Sequence, residues 1–331
     1  MTARKAAIAI ALEGGSDLGA RISPRLESLV LSEARENEAD EMELRLDNSD
    51  GRLAYPETGA TLSLALGWES GNDVPNGMVD KGLFVVSEVA AEGPPDVLVI
   101  RAQSADLIGE LRRRRTKAWR DTTLGAILDE VAGRYDRTAR VESGLAALAI
   151  EIIEQEGKSD MAFVAHLGRR YDAIATWKNG VLLFLPIGQS ATASGMPLAG
   201  AAITKRDGWR WQFSQADRES YDGAEAQWQD QDAGRRRTVQ VGGDNRRRLK
   251  RVYASEGEAR QAAQAALSRA QRAPFRFTYE LAIADPSLQP DMQVSLSGWS
   301  EKIDGMGWLV ESVKTSFGAG GLRQSIELES A

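Results

Sequence analysis

This chain of 331 residues reads as an α+β protein, mainly β, in which an α/β segment bridges two antiparallel β domains. Three observations predict it. Near both ends apolar residues alternate with polar or small ones, the period of a strand with one buried face. In the middle the apolar spacing changes to that of a helix. Asn179-Gly180 then separates two apolar runs, a strong short hairpin signal.

The elements follow in order. Arg4 and Lys5 precede the apolar stretch Ala6 to Leu12, which is too short to span a membrane, so it is expected to be the first strand. Met42, Leu44 and Leu46 alternate, as do Leu62, Leu64, Leu66 and Trp68. Asn48 to Gly51 and Gly71 to Gly77 read as turns, and Gly93-Pro94-Pro95 separates strands over Gly82 to Val89 and Val97 to Ala102. From Asp121, a candidate N-cap, Leu124, Ile127, Leu128, Val131 and Tyr135 fall at helical spacing. A second helix starts near Ser159 and places Met161, Val164, Leu167 and Tyr171 on one side. The hairpin joins Ala173 to Trp177 with Val181 to Leu185, and the small-residue loop Gly188 to Gly200 closes the segment.

Strands then return. Trp209, Trp211 and Phe213 alternate, as do Phe275, Phe277, Tyr279, Leu281 and Ile283. Ser255-Glu256-Gly257-Glu258 reads as a capping box opening an alanine-rich helix to Ala270, with Pro274 limiting its end. No short internal repeat is visible; only the architecture recurs. The expected division is a β domain over 1–110, an α/β segment over 111–203 and a second β domain over 204–331. Strands in 205–241 are left as candidates to complete the first domain.

Composition narrows the function. There is no cysteine, so disulfides and thiolate metal sites are excluded. No run of about 18 apolar residues occurs, and no clear cleavage signal follows Leu12, so the chain is expected to be cytoplasmic when made. Charge is uneven. Residues 1–100 carry 8 Lys/Arg against 18 Asp/Glu, 101–120 carry 7 against 2, and 235–251 carry 8 against 1. A duplex-DNA binder usually shows a basic domain, and here basic residues gather in two short runs of an acidic chain.

The catalytic inventory is thin. His166 is the only histidine and sits inside a helical pattern, so nucleophile activation would rest on it alone. Gly157-Lys158-Ser159 resembles the end of a phosphate-binding loop, but Ile152 stands where that loop needs glycine. Nothing singles out a glycosidase-like carboxylate pair, and no spacing suggests a metal loop or a cofactor. The arginine runs stand out instead. Arg112, Arg113, Arg114 and Arg115, with Lys117, Trp119 and Arg120, could grip nucleic acid, and Arg235, Arg236 and Arg237 with Arg246 to Arg248 could extend the patch. The stronger reading takes these runs as loops that are solvated or pair with an acidic subunit face, such as residues 33–50.

Three stretches resemble the phage late-control D family of baseplate hub proteins, related to the hub part of the type VI secretion spike protein VgrG. They are LVLSEARENEADEMELRLDNSDGRL from Leu29; the run from Ile100 to Pro186 that contains IRAQSADL, LRRRRTKAW, TTLGAILDEVAGRYD and EQEGKSDMAFVAHLGRRYDAIATWKNGVLLFLP; and PSLQPDMQVSLSGWSEKIDGMGWLVESVKTSFGAGGLRQSIELE from Pro286. Together they span most of the chain in the family's order.

The resemblance implies that both β domains are tail-tube-like barrels. It implies a structural hub without enzymatic activity, cofactor or metal, forming a homotrimer whose six barrels continue a hexameric tail tube of a contractile tail. The implied partners are the tube protein, the spike protein and, as a further candidate, the tape-measure protein. DNA would meet the hub only in transit through the lumen, which acidic residues would keep from sticking. No lysozyme-like or needle-like extension follows the hub stretch, so spike and wall-degrading activity are expected on other polypeptides. The expected location is the virion tail or a phage-tail-like particle, assembled in the host cytoplasm. A peptidoglycan-degrading tail enzyme and a DNA-binding late-gene regulator are the alternatives.

Overall fold

The computed structural model describes residues 4–12, 22–35, 39–75, 77–104, 111, 113–178, 180–189, 198–215, 221–272 and 274–331. Asn76, Arg112, Asn179 and most of the Gly188 to Gly200 loop lie outside them.

The first unit has six strands: β1 (Lys5–Leu12), β2 (Leu26–Ala34), β3 (Glu41–Asp47), β4 (Thr61–Ser70), β5 (Gly77–Glu92) and β6 (Val97–Ser104). They pair antiparallel in the order β1-β4-β5-β6-β3-β2. The alternation in the sequence becomes one buried face, where Leu29, Leu31, Met42, Leu44, Leu64, Leu66, Phe84 and Ile100 form a single core.

The α/β segment follows. Strands β7 (Arg114–Thr123) and β9 (Ala149–Ser159) pair antiparallel, while β8 (Thr138–Val141) adds in parallel to the hairpin β10 (Ala173–Lys178) and β11 (Val181–Pro186). Helix α1 (Leu124–Gly133) is capped by Thr123, whose hydroxyl accepts the Ala126 N–H. The expected cap, Asp121, lies inside β7 with φ 47°. A short helix α2 (Ser143–Ala146) was not legible in the sequence. Helix α3 (Asp160–Tyr171) starts where the sequence predicts, with Ser159 as its N-cap, and packs so closely on β10 that a Cβ at Gly168 would lie 2.8 Å from the Ala173 carbonyl oxygen.

The last third contains β12 (Ala201–Thr204), β13 (Gly208–Gln215), β14 (Gly223–Asp230), β15 (Arg235–Gly242), β16 (Arg246–Tyr253), α4 (Glu256–Arg272), β17 (Phe275–Leu281), β18 (Gln293–Ser297), a one-turn helix α5 (Glu301–Asp304), β19 (Gly307–Gly318) and β20 (Gly321–Ser330). Among the described residues, 205–241 add no strand to the first unit. Strand β13 pairs with β17, and β14 lies between β15 and β16 in a separate sheet covered by the alanine face of α4. The Ser255 hydroxyl accepts the Glu258 N–H as a capping box requires, but the Glu258 carboxylate turns instead to Arg170 of α3, 3.1 Å away.

Setting β14–β16 and α4 aside leaves six strands in the order β12-β18-β19-β20-β17-β13. Numbered within each unit, both orders read 1-4-5-6-3-2. The registers repeat as well. Val86 exchanges backbone hydrogen bonds with Gly59 and Ala60, and Val310 does the same with Asp291 and Met292. A bulge lies between Val86 and Glu88 in one unit and between Val310 and Ser312 in the other; another lies at Leu26/Ser28 and at Gly208/Arg210. One pairing departs: β1–β4 is antiparallel and β12–β18 parallel. The chain is thus a structural duplication that the sequence conceals.

The units share one sheet. β2 pairs antiparallel with Ser312 to Gly318 of β19, with Leu31 opposite Thr315 and Leu29 opposite Phe317. The Trp68 indole N–H donates to the Ala284 carbonyl at 2.9 Å across the same boundary. Because this seam ties both cores together, they should unfold as one. Leu29 is fully buried beside the seam, so Leu29→Ala should cost about 3 kcal/mol. Far-UV circular dichroism and fluorescence of the second unit's tryptophans, followed in urea, should show the same shift.

Candidate assembly interface

Most of the arginine runs lie on strands, not in loops: Arg114 and Arg115 on β7, Arg235 to Arg237 on β15 and Arg246 to Arg248 on β16. Arg113 and Arg114 are exposed at the start of β7. Arg115 reaches inward to within 3.3 Å of Asp160, a fully buried carboxylate that also accepts from Arg134 at 2.7 Å, Gln155 at 2.7 Å and the Tyr135 hydroxyl. Burial and the bond to Asp160 push the Tyr135 hydroxyl up to about 12. Trp119 is buried, stacked on Phe163 at 5.1 Å with its N–H donated to Glu130, so this aromatic belongs to the segment's core. Although burial works against it, bonds from Lys117, Arg134 and Trp119 hold the Glu130 carboxyl at about 2.

The second run occupies the two strands that flank β14. Arg235 and Arg236 are exposed on β15, while Arg237 pairs with Asp230 at 2.8 Å and lies over the Trp228 ring. On β16, Arg248 faces Glu225 at 3.6 Å. The two runs therefore stand on different sheets. Of the acidic residues in 33–50, Glu33 pairs with Lys81, Glu43 with Arg101 and Asp50 with Arg25, all within their own unit.

The structure reveals a further group that the sequence did not flag. At the end of β2, the nearly buried guanidinium of Arg35 meets Glu329 of β20 and lies 3.6 Å from Asp291. Glu329 is 3.2 Å from Arg272 of α4, and Arg272 and Arg269 both reach Asp172 at the end of α3. This one cluster ties both six-stranded units to α4 and to the α/β segment. Asp172 (φ 55°) and Asp291 (φ 69°) hold left-handed backbone there, which an L-residue adopts at some cost. Burial pushes the Asp291 carboxyl up to about 6, against the Gly188 N–H and the Arg35 guanidinium.

Catalytic geometry is sparse. Burial, followed by Lys158 and the nearby arginines, lowers the pKa of half-buried His166. Among the described residues no group of three His, Cys, Asp or Glu side chains is placed to hold a metal, and no helix is long and apolar enough to cross a membrane.

The fold defines a class. A tail protein from Neisseria meningitidis superposes with a TM-score of 0.68 at 12% identity, the match covering 98% of this chain and 96% of that one. A type VI secretion component from E. coli gives a TM-score of 0.61 at 12% identity, over 93% of this chain and 74% of that one. Both likenesses establish a fold shared with a tail protein and a type VI secretion component. At the level of sequence, the model for the phage tail baseplate hub (GPD) family matches residues 41–321, and the "probable baseplate hub protein" of Escherichia phage 186 is 33% identical, over 95% of this chain and 90% of that protein. The chain belongs to the phage tail baseplate hub family.

Two outcomes follow from the ion pairs. Replacing exposed Arg113 and Arg114 with serine should leave the melting temperature within a degree or so of wild type, whereas Arg115→Ser, which strips a cation from buried Asp160, should cost about 1–2 kcal/mol; thermal denaturation of both variants measures the difference. For Asp291, a carboxyl whose folded pKa lies above its unfolded value is stabilising while protonated, and that contribution is lost as pH rises through about 6. Relative to Asp291→Asn, the wild type should therefore gain on the order of 2 kcal/mol between pH 7 and pH 4, read from urea unfolding at each pH.

Proposed function

We propose that this hub is a structural, non-enzymatic trimer of a contractile tail, joining the hexameric tail tube to a trimeric spike. The observation that carries it is the duplication: two units of equal strand order and matched bulges in one chain mean that three chains present six comparable barrels. A threefold object of this kind meets a sixfold tube on one side and a threefold spike on the other. The division into a first tube-like barrel, an α/β segment and a second tube-like barrel that carries an inserted sheet and helix belongs to the same proposal. So do the exposed arginines of β7 and β15, read as contacts for the spike or the tape-measure protein, and the acidic excess, read as a lumen that repels passing DNA.

The purified protein should be a trimer by light scattering at micromolar concentration and should cap tubes of the cognate tube protein in negative-stain micrographs. A clean monomer that leaves tube ends bare would defeat the proposal.

A further inference from the structure

The seam within the chain has a counterpart that the chain cannot complete alone. By register, β13 of the second unit corresponds to β2 of the first, with Trp211 at the place of Leu29 and Phe213 at the place of Leu31. Likewise the distal half of β5 corresponds to the distal half of β19, Glu88 matching Ser312 and Val89 matching Val313. Within the chain, β2 pairs with β19. Among the described residues, no strand pairs with the outer edge of β13 or with the matching edge of β5 beyond Val86.

Exposure marks the difference. Leu29 and Thr315, on either side of the completed seam, are 0% exposed, while Trp211 is 41% exposed and Ala91, the counterpart of Thr315, is open to solvent. Open strand edges that carry large apolar side chains are templates for pairing.

We propose that β13 of one chain pairs antiparallel with Val89 to Gly93, the end of β5 and the residue after it, in a second copy, in the register that the internal seam dictates. This rests on the trimer reading of the preceding section and specifies its contact. Transferring the internal register places Gln215 opposite Val89, Ser214 opposite Ala90, Phe213 opposite Ala91, Gln212 opposite Glu92 and Trp211 opposite Gly93. Sizes complement each other. In the internal seam the bulk is on β19, where Phe317 faces Leu29; in the new seam it moves to β13, where Trp211 and Phe213 face glycine and alanine. The seam ends where it should, since the next position is Pro94, which has no N–H to donate, matching Gly318 at the end of the internal seam. Inner and outer seams then alternate around the ring, and one chain repeated three times closes it.

Because the chain has no cysteine, introduced thiols report this contact alone. Directly opposed residues of antiparallel strands lie within disulfide range, and Ala90 and Ser214 are small residues on these edges. The full-length Ala90→Cys/Ser214→Cys variant, oxidised with diamide, should run on a non-reducing gel as covalent dimers and closed trimers. Each single-cysteine variant, and the off-register pair Glu92→Cys/Ser214→Cys, should stay at the mass of one chain. A trimer by light scattering that links no better through 90 and 214 than through the off-register pair would overturn the seam and leave the trimer standing. A wild-type protein that is monomeric by light scattering would remove both.

Discussion

One strand pairing organises this protein. Residues 28–34 and 312–318, close to opposite ends of the chain, form a ladder that turns two six-stranded units into one continuous sheet. Backbone groups at the edge of a strand need partners when they are buried, and here each unit supplies what the other lacks. Leu29, Leu31, Val313 and Thr315, all on the two paired strands, are shielded from solvent. Everything inserted between the two strands has to loop out and return, so the α/β segment and the β14–β16 sheet with its helix are arranged around this seam.

The Arg35 cluster stands at the end of the seam and shows what a buried charge can and cannot supply. Four elements meet through Arg35, Asp172, Arg272, Asp291 and Glu329, and such groups repay their lost hydration only when well paired. The pairing is incomplete: Arg35 Nε and Nη1 make no hydrogen bond to a described residue. Apolar packing of the same volume would hold these elements at least as firmly. What the charges add is direction, since a guanidinium with carboxylates on two sides accepts few relative placements of the four elements.

The arginine runs illustrate how far local reading reaches. Clustered arginines in an acidic chain are conspicuous, and they read as loops because a strand with several adjacent cations is unusual. The structure resolves this through partners on neighbouring elements: Asp160 beside Arg115, Asp230 beside Arg237, Glu225 beside Arg248. Trp119 looked like a stacking platform beside the basic residues, yet Phe163, 44 positions later, takes its face. The Arg35 cluster left no local signal at all, because its members are single charges scattered over nearly 300 residues.

By itself the sequence determined the elements whose signals are local. The period of two over Leu62 to Trp68 and over Phe275 to Leu281, the Ser159 and Ser255 caps and the helical spacing from Leu124 to Val131 all follow from which side chains must leave water together. The order of resembling stretches also indicated the family. The duplication, the seam and the buried charge cluster were decided only in three dimensions. Equivalent positions such as Leu44 and Tyr279, both fully buried, share an environment and no identity, because a barrel core constrains burial and volume more than residue type. Strand order and register are set by hydrogen bonds between segments far apart in the chain, and no local pattern of residues encodes which distant edge will complete them.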